Sequence, residues 1–275
     1  MAHRTHLPFD ADLVRAWRLG TGHRGAVLLH GFASTPPELR RLGEYLAAHG
    51  FTCVAPTLAG HGGIPEDLSP TRWQDWAASA SAAVDELAAE CDDVVIAGQS
   101  MGGTLALHTA ANDPRISAVA ALAAPIWLSG VAVRVIPVLK YLVKWHYPGT
   151  DVDLFDRAAV AELHSYGRRP TRSIHELLRL LSVTRNELAT IRQPVLLIHG
   201  ARDATVDPRN AADIERRLVC SAAVERVMLA RSGHGVSVDV DREEVNRLVA
   251  AWFDRHGPSS PEPRPPQLQQ PDDPS

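Results

Sequence analysis

Six short runs of apolar residues, many of them β-branched, recur along the chain between stretches that have the periodicity of helices. Most of the runs are continuously apolar, which is typical of strands buried on both faces of a sheet. Alternation of such strands with helices predicts an α/β fold, in which helices flank a mostly parallel sheet. The runs are Gly25–Gly31, Thr52–Leu58, Asp93–Gly98, Ile116–Ala124, Pro194–Gly200 and Ala222–Ala230.

The length of 275 residues suits one domain, which we place at residues 1–256. Residues 125–193 separate two predicted strands by far more than one crossover requires, and we interpret them as an inserted helical lid. Thr35 and Glu38 have the spacing of a capping box at the start of the first helix. Seven of the nineteen residues at 257–275 are proline, which predicts a disordered tail. The apolar positions at helical spacing in the lid are Val131, Val135, Val138, Leu142 and Trp145.

The composition excludes several classes of function. A net charge of −4 provides no basic field for a phosphate backbone, so we expect no nucleic-acid partner. The three cysteines are far apart, which is typical of reduced thiols in a cytoplasmic protein. The sequence has no cluster of metal ligands, no nucleotide-binding glycine motif, no signal segment and no membrane-spanning stretch. We therefore expect a cytoplasmic protein without metal, cofactor or stable membrane insertion, and its oligomeric state stays open.

The sequence Gly98-Gln99-Ser100-Met101-Gly102 lies between a predicted strand and a predicted helix. A sharp turn at such a position holds a serine above the sheet edge, and the flanking glycines let strand and helix approach. The helix N-terminus directs free N–H groups at the place where negative charge develops in acyl transfer. These features identify Ser100 as a candidate nucleophile. The alternative is a glycine-rich turn whose serine only caps the helix.

A serine hydroxyl needs a base to become a nucleophile, and the chain has thirteen histidines. His234 is our candidate because it directly follows the last predicted strand, at the sheet edge that also carries Ser100. His30 follows a strand at the same edge, but we interpret it as a structural histidine that holds the loop after that strand.

The base in turn needs an acid that orients and stabilises its imidazolium. Asp203 follows the predicted strand that ends at Gly200, again at the same edge of the sheet. Asp207 is the rival candidate. It directly precedes Pro208 and a helical pattern, so we interpret it as a helix N-cap and favour Asp203 as the acid.

Five motifs together resemble those of bacterial carboxylesterases and monoacylglycerol lipases of the alpha/beta-hydrolase superfamily. They are LLHGF (28–32), GHG (60–62), GQSMGG (98–103), GARDATVDP (200–208) and SGHG (232–235). The resemblance implies an alpha/beta-hydrolase fold with a Ser100–Asp203–His234 triad, in the chain order of that superfamily. It also implies that the backbone N–H groups of Phe32 and Met101 form the oxyanion hole. We expect six or seven strands, because too few residues precede the first run for the superfamily's N-terminal hairpin.

The expected function is hydrolysis of a small-molecule carboxylic ester through an acyl-enzyme, with a short-to-medium acyl ester or a monoacylglycerol as substrate. Ile126 and Trp127, at the start of the lid, are candidate substrate contacts. Hydrolysis of an amide, a thioester or a carbon–carbon bond is an alternative, because the fold supports all of these reactions. A ligand-binding module without catalysis is a further alternative, against which the intact triad argues.

Overall fold

The computed structural model describes residues 14–148 and 153–257, and its elements are numbered in chain order. The strands within these ranges are β1 (Trp17–Leu19), β2 (Arg24–Leu29), β3 (Phe51–Ala55), β4 (Asp93–Gln99), β5 (Ile116–Leu122), β6 (Trp145–His146), β7 (Arg169–Pro170), β8 (Val195–Gly200) and β9 (Val224–Leu229). Seven of them form one sheet in the order β1-β3-β2-β4-β5-β8-β9, and β6 pairs with β7. In this sheet β1 is antiparallel to β3, and every other pairing is parallel. The prediction of a mostly parallel sheet of six or seven strands is confirmed.

Helices cover both faces of the sheet. The α-helices in the described ranges are α1 (Arg40–Ala48), α2 (Pro65–Leu68), α3 (Trp73–Ala88), α4 (Met101–Asn112), α5 (Val131–Leu139), α6 (Thr171–Glu187), α7 (Arg209–Glu215) and α8 (Arg242–His256). On one face Trp76 of α3, Leu105 of α4 and Leu181 of α6 belong to one buried apolar core. On the other face Leu42 of α1 and Phe253 of α8 belong to a second core. Burial on both faces explains why the strand sequences are continuously apolar.

The segment between β5 and β8 contains two α-helices of different kinds. α6 packs on α3 and α4 as part of the main body, whereas α5 is nine residues long and contains Pro137, which cannot donate a backbone hydrogen bond. α5 ends at Leu139, so Leu142 and Trp145 lie beyond it, and the expectation of one helical face through them is wrong. Val138 and Leu142 are 68% and 79% exposed to solvent.

Apart from Gly257, the predicted tail lies outside the described residues, and the lid boundaries at 125 and 193 stay a prediction. Across the parts of the chain that the structure describes, no helix is both long enough and apolar enough to cross a bilayer.

Candidate active site

Ser100 lies in the turn between β4 and α4, with a φ of 56° and a ψ of −120°. This left-handed conformation is strained for a residue with a side chain, and such strain is characteristic of functional turns. The turn is also tight. A Cβ atom on Gly98 would lie 2.2 Å from the carbonyl group of Gly102, and one on Gly102 would lie 1.9 Å from the Leu29 carbonyl oxygen. Both positions therefore require glycine, and the strand–turn–helix context predicted from the sequence is confirmed.

Three polar side chains meet where β4, β8 and β9 end. The Oγ atom of Ser100 lies 2.9 Å from Nε2 of His234, and Nδ1 of His234 lies 2.8 Å from Oδ2 of Asp203. Since the three strands are parallel, the loops that follow them meet at one edge of the sheet. The structure thus brings together the three residues that the sequence singled out. Their hydrogen bonds form a series through which the histidine can accept the serine proton.

Asp203 is 7% exposed and accepts hydrogen bonds at both carboxylate oxygens. Oδ1 accepts the N–H groups of Thr205 and Val206 at 2.9 and 2.7 Å. Oδ2 lies 3.0 Å from Nε2 of the buried His199, in addition to its contact with His234. Burial alone would raise the pKa of Asp203, but the hydrogen bonds from His199 and His234 hold it well below its usual range. Asp203 is therefore an anion at neutral pH.

Asp207, the rival to Asp203, has a different set of partners. Its carboxylate accepts the backbone N–H of Arg209 at 2.9 Å and pairs with the guanidinium of the same residue at 2.5 Å. Arg209 is the first residue of α7, so Asp207 satisfies a free N–H group at the start of this helix. The N-cap position itself is occupied by Pro208, one residue later than the sequence suggested.

The loop after β2, residues 30–35 and called the β2 loop below, lies against Ser100. A Cβ atom on Gly31 would lie 3.5 Å from the Ser100 Cβ. Phe32 is the next residue of this loop, and Met101 is the first residue of α4. The two backbone N–H groups assigned to the oxyanion hole by resemblance therefore lie on the two elements that adjoin the serine.

Two buried histidines hold the β2 loop in place. Nε2 of His30 accepts the N–H of Leu58 at 3.2 Å, and Nε2 of His61 accepts the N–H of Ala33 at 3.1 Å. Ala33 has a left-handed φ of 58°, so this hydrogen bond stabilises a strained residue. Burial lowers the pKa of His61 to about 4 and that of His30 well below its ordinary value. Both rings are neutral at pH 7, as an accepting nitrogen requires, which agrees with the structural interpretation of His30.

Glu38 also binds the β2 loop, which the sequence did not reveal. Its Oε2 atom accepts the Gly31 N–H at 2.7 Å, and Thr35 donates its hydroxyl hydrogen to the carbonyl of His164. The predicted capping box is therefore wrong, because both side chains have longer-range partners. Burial raises the pKa of Glu38, while the Gly31 hydrogen bond and the nearby His234 act in the opposite direction.

Residues 153–156, called the return segment below, form hydrogen bonds with two loops of the site. These are the β8 loop (residues 201–208), which carries Asp203, and the β9 loop (residues 230–241), which carries His234. Oδ2 of Asp153 accepts the N–H groups of Ala204 and Thr205 at 2.7 and 3.0 Å, and the Thr205 hydroxyl at 3.1 Å. The carbonyl of Asp153 accepts the N–H of His234 at 3.1 Å. One residue of the return segment thus binds both loops.

Asp239 makes the reciprocal connection from the β9 loop. It is completely buried, and its Oδ1 accepts the N–H groups of Phe155 and Asp156, both at 2.8 Å. Its Oδ2 accepts the N–H of Gly233 at 2.7 Å. On the other side of the histidine, the Gln99 amide donates to the His234 carbonyl at 2.7 Å. The backbone on both sides of the histidine is therefore fixed by hydrogen bonds.

Ile126 and Trp127, the predicted substrate contacts, follow β5 near the same edge of the sheet. Asn210 accepts both of their backbone N–H groups, at 2.8 and 3.1 Å. The Trp127 indole donates to Asp213 at 2.7 Å. Ile126 is buried in the first core, and Trp127 is half-buried against it. The two residues are thus fixed to α7, and their role toward substrate stays a prediction.

Sequence reasoning missed four polar residues of the site. A signal existed for His199, because it ends β8 beside Gly200 at the edge where Asp203 lies. Asp153 and Asp239 have no local motif, and their partners are more than fifty and eighty residues away in the chain. Only the packing of the complete chain brings these groups together. The four residues are Glu38, Asp153, His199 and Asp239.

Comparison with known proteins identifies the family. Residues 22–241 match the family model described as serine aminopeptidase, S33. The chain belongs to this family of alpha/beta-hydrolases. The match includes every residue of the Ser100–His234–Asp203 arrangement as well as the β2 loop, and it confirms the superfamily that the five sequence motifs indicated.

Two bacterial relatives and a solved structure resemble this chain over most of its length. A thermostable monoacylglycerol lipase of Bacillus sp. (strain H-257) is 33% identical over 238 residues, which cover 86% of this chain and 92% of the lipase. A carboxylesterase of Bacillus subtilis (strain 168) is 25% identical over 236 residues, which cover 85% of this chain and 94% of the carboxylesterase. A solved structure from work on two metagenome-derived lipolytic enzymes, LipS and LipT, has a TM-score of 0.83 at 25% identity. The match covers 88% of this chain and 98% of the solved chain.

Proposed function

We propose that this S33-family chain is a serine carboxylic ester hydrolase of the carboxylesterase or monoacylglycerol lipase type. The observation that carries the proposal is the hydrogen-bonded series from Ser100 through His234 to Asp203, which begins at a strained strand-to-helix turn. In this series Ser100 is the nucleophile, His234 the general base and Asp203 the orienting acid. The names of the lipase and carboxylesterase relatives support an ester as the substrate.

The first half of the reaction transfers the acyl group to the enzyme. Ser100 Oγ attacks the ester carbonyl while His234 Nε2 accepts its proton. The Phe32 and Met101 N–H groups donate hydrogen bonds to the oxyanion, and the positive end of the α4 dipole adds to their effect. Loss of one such donor costs about 3 kcal/mol of transition-state stabilisation. The imidazolium then gives its proton to the departing alcohol, which leaves an acyl ester on Ser100.

The second half returns the enzyme to its starting state. His234 accepts a proton from water, and the resulting hydroxide attacks the acyl carbonyl at the same oxyanion position. The bond to Ser100 Oγ breaks, the serine takes the proton back from His234, and the carboxylic acid leaves. One ester and one water thus give one acid and one alcohol.

Asp203 contributes as an anion throughout the cycle. Its low pKa keeps it ionised when His234 is protonated, so it stabilises the imidazolium and fixes the tautomer of the neutral ring. The second histidine on Oδ2, His199, lies 3.2 Å from the carbonyl oxygen of Val206 as well as 3.0 Å from Asp203. Since both of these neighbours accept hydrogen bonds, His199 Nε2 carries a proton and donates it toward the acid.

For the substrate we propose a short-to-medium acyl ester, with Ile126 and Trp127 beside the acyl chain. If apolar surface near these residues accepts the chain, each additional methylene improves transition-state binding by up to about 0.8 kcal/mol until the space is full. The kcat/KM for p-nitrophenyl esters from C2 to C16 should then rise to a maximum at medium length and fall beyond it.

Labelling of the serine tests the proposal directly. Wild-type protein, Ser100→Ala and Ser81→Ala are treated with a fluorophosphonate probe, and the modified residue is mapped by mass spectrometry. Ser81 is the control because it is an exposed serine of α3, away from the site. We expect labelling and esterase activity in the wild type and in Ser81→Ala. In Ser100→Ala labelling should be absent and kcat lower by roughly 10³- to 10⁶-fold.

Three results would contradict the proposal in different ways. Activity above a few per cent in Ser100→Ala would exclude Ser100 as the nucleophile. Absence of labelling and of turnover in the wild type would favour a binding module. A preference for p-nitroanilides or thioesters over every ester of the same acyl chain would keep the mechanism but replace the substrate class.

A further inference from the structure

Arg169, the first residue of β7, is an arginine beside the site without a carboxylate partner among the residues that the structure describes. Its Nε atom is completely buried and has no hydrogen-bond acceptor. Burial lowers the pKa of Arg169. The residue as a whole is partly buried, and a buried guanidinium nitrogen without an acceptor or counter-ion is energetically costly, so proteins rarely leave one in this state.

Two other arginines with a buried Nε atom show how this chain ordinarily neutralises such a group. Arg24 pairs with Asp254 at 2.8 Å, and Arg242 pairs with Asp156 through its terminal nitrogen. Arg168, the direct neighbour of Arg169, pairs with Glu66 and lies 4.3 Å from the ring centroid of Trp145. Arg169 is thus an exception in a chain that elsewhere supplies carboxylates for its partly buried guanidinium groups.

The position of Arg169 connects it to the β2 loop. The Tyr166 N–H donates to the Ala33 carbonyl at 2.9 Å, so the chain leading to β7 is bonded to this loop. The guanidinium carbon of Arg169 lies 6.0 Å from the ring centroid of Phe32. Because the Phe32 N–H is a proposed oxyanion donor, the guanidinium and the reacting carbonyl are on the order of 10 Å apart.

The segment that contains Arg169, residues 125–193, has a positive net charge like the arginine itself. Residues 125–193 contain ten Lys and Arg and six Asp and Glu, a net charge of +4, although the whole chain has a net charge of −4. The histidine that pairs with Arg169 across β6 and β7, His146, has a pKa lowered by burial and by the Arg169 charge, so it supplies no anion. Among the residues that the structure describes, no carboxylate pairs with Arg169, and a bound anion would supply the missing charge.

We propose that Arg169 binds an anionic group, a carboxylate or a phosphate, that the ester substrate itself carries. This inference rests on the proposed esterase function and narrows its substrate class to charged esters. The guanidinium would form two parallel hydrogen bonds with the planar carboxylate or with two phosphate oxygens. The anion can belong to the acyl chain, as in a half-ester of a dicarboxylic acid, or to the alcohol, as in an acylglycerol phosphate. In either source six or seven bonds connect the ester carbonyl to the anionic group and span about 9 Å, which matches the separation between the reacting carbonyl and the guanidinium.

Two matched pairs of substrates distinguish these sources. On the acyl side methyl octanoate is compared with monomethyl octanedioate, and on the alcohol side 1-octanoylglycerol with 1-octanoylglycerol 3-phosphate. Kinetics are measured for the wild type, Arg169→Met, Arg169→Lys and the control Arg168→Met. In the wild type we expect a higher kcat/KM for the anionic member of one pair. Arg169→Met should lose about 10- to 100-fold on that ester, mainly through KM, and stay within about twofold on its neutral partner. Arg169→Lys should retain part of the preference, and Arg168→Met should change both members equally.

Equal losses on neutral and anionic esters in Arg169→Met would overturn the inference and make Arg169 a structural contact of Phe32. The wild type provides a test that does not depend on folding of the variants, namely binding of octyl phosphate and octanedioate measured by calorimetry. Affinity no greater than that of 1-octanol would also overturn it. Because this measurement needs no turnover, anion binding without hydrolysis of any ester would refute the proposed function and leave the anion site standing.

Discussion

The contacts of Asp153 predict that one carboxylate of the return segment controls the geometry of the β8 loop. In Asp153→Ala the three hydrogen bonds to the β8 loop are lost, while the backbone hydrogen bond from His234 can persist. Ala204 and Thr205 are exposed, so water replaces part of the interaction. We therefore expect a loss of about 1–3 kcal/mol in the free energy of unfolding, less than three fully buried hydrogen bonds would contribute. The melting temperature should fall by about 2–10 °C.

The effect on catalysis should exceed the effect on folding at the assay temperature. The β8 loop carries Asp203, and a displacement of about 1 Å in a catalytic group can reduce turnover by about 100-fold. We expect kcat to fall by about 10- to 100-fold with a smaller change in KM, because the binding surface is unaltered. Steady-state kinetics on a p-nitrophenyl ester, at a temperature where the variant remains folded, measure both parameters.

Asp156→Ala is the matched control for this experiment. Asp156 lies in the same return segment, and its carboxylate binds Arg242 and the backbone N–H of Ala158. Its removal should lower the melting temperature and leave kcat within about threefold of the wild-type value. Equal losses of kcat in the two variants, or a normal kcat in Asp153→Ala, would refute the reasoning. Asp153 would then only hold the return segment in position.

Two further predictions concern the acid and the β2 loop. Asp203→Asn should lower kcat by about 10⁴-fold because His234 loses its orienting anion. Asp207→Ala should lower the free energy of unfolding by about 1 kcal/mol and leave kcat unchanged. Kinetics and melting curves measure both variants, and the reverse pattern would exchange the roles of the two aspartates. The pKa of His61 falls from about 6.5 in the unfolded chain to about 4 in the folded protein, so protons bind the unfolded state preferentially. Stability is therefore full above pH 6.5 and should decrease by up to about 3 kcal/mol as the pH falls to 4. Urea titrations should show this dependence in the wild type and a weaker one in His61→Gln, and equal slopes would assign it to other groups.

The parts of the site that lie on strand ends were predictable from the sequence. Ser100, Asp203 and His234 each follow an apolar run within a few residues, and parallel strands place their carboxyl ends together. Their meeting therefore follows from the order of the strands and the glycines of the turn. The fold was predictable for the same reason, since buried parallel strands have a distinctive apolar pattern.

The contacts made by the lid were not predictable in the same way. The apolar positions from Val131 to Trp145 have helical spacing, but α5 ends at Leu139, and the side chains of Val138 and Leu142 are exposed. Glu38 fitted a local capping rule, yet a buried N–H of Gly31 competes for its carboxylate and wins. Local rules fail at such positions because a partner distant in sequence satisfies a polar group that would otherwise be buried alone.

The hydrogen bonds between the return segment and the β9 loop have a consequence for how the molecule folds during synthesis. The return segment leaves the ribosome more than eighty residues before Asp239, the carboxylate that accepts its N–H groups. The return segment therefore cannot reach its final position until the β9 loop has emerged. His234 arrives in the same late segment. A partly synthesised chain thus holds Ser100 and Asp203 without His234, and we expect hydrolytic activity only after the β9 loop has joined the site.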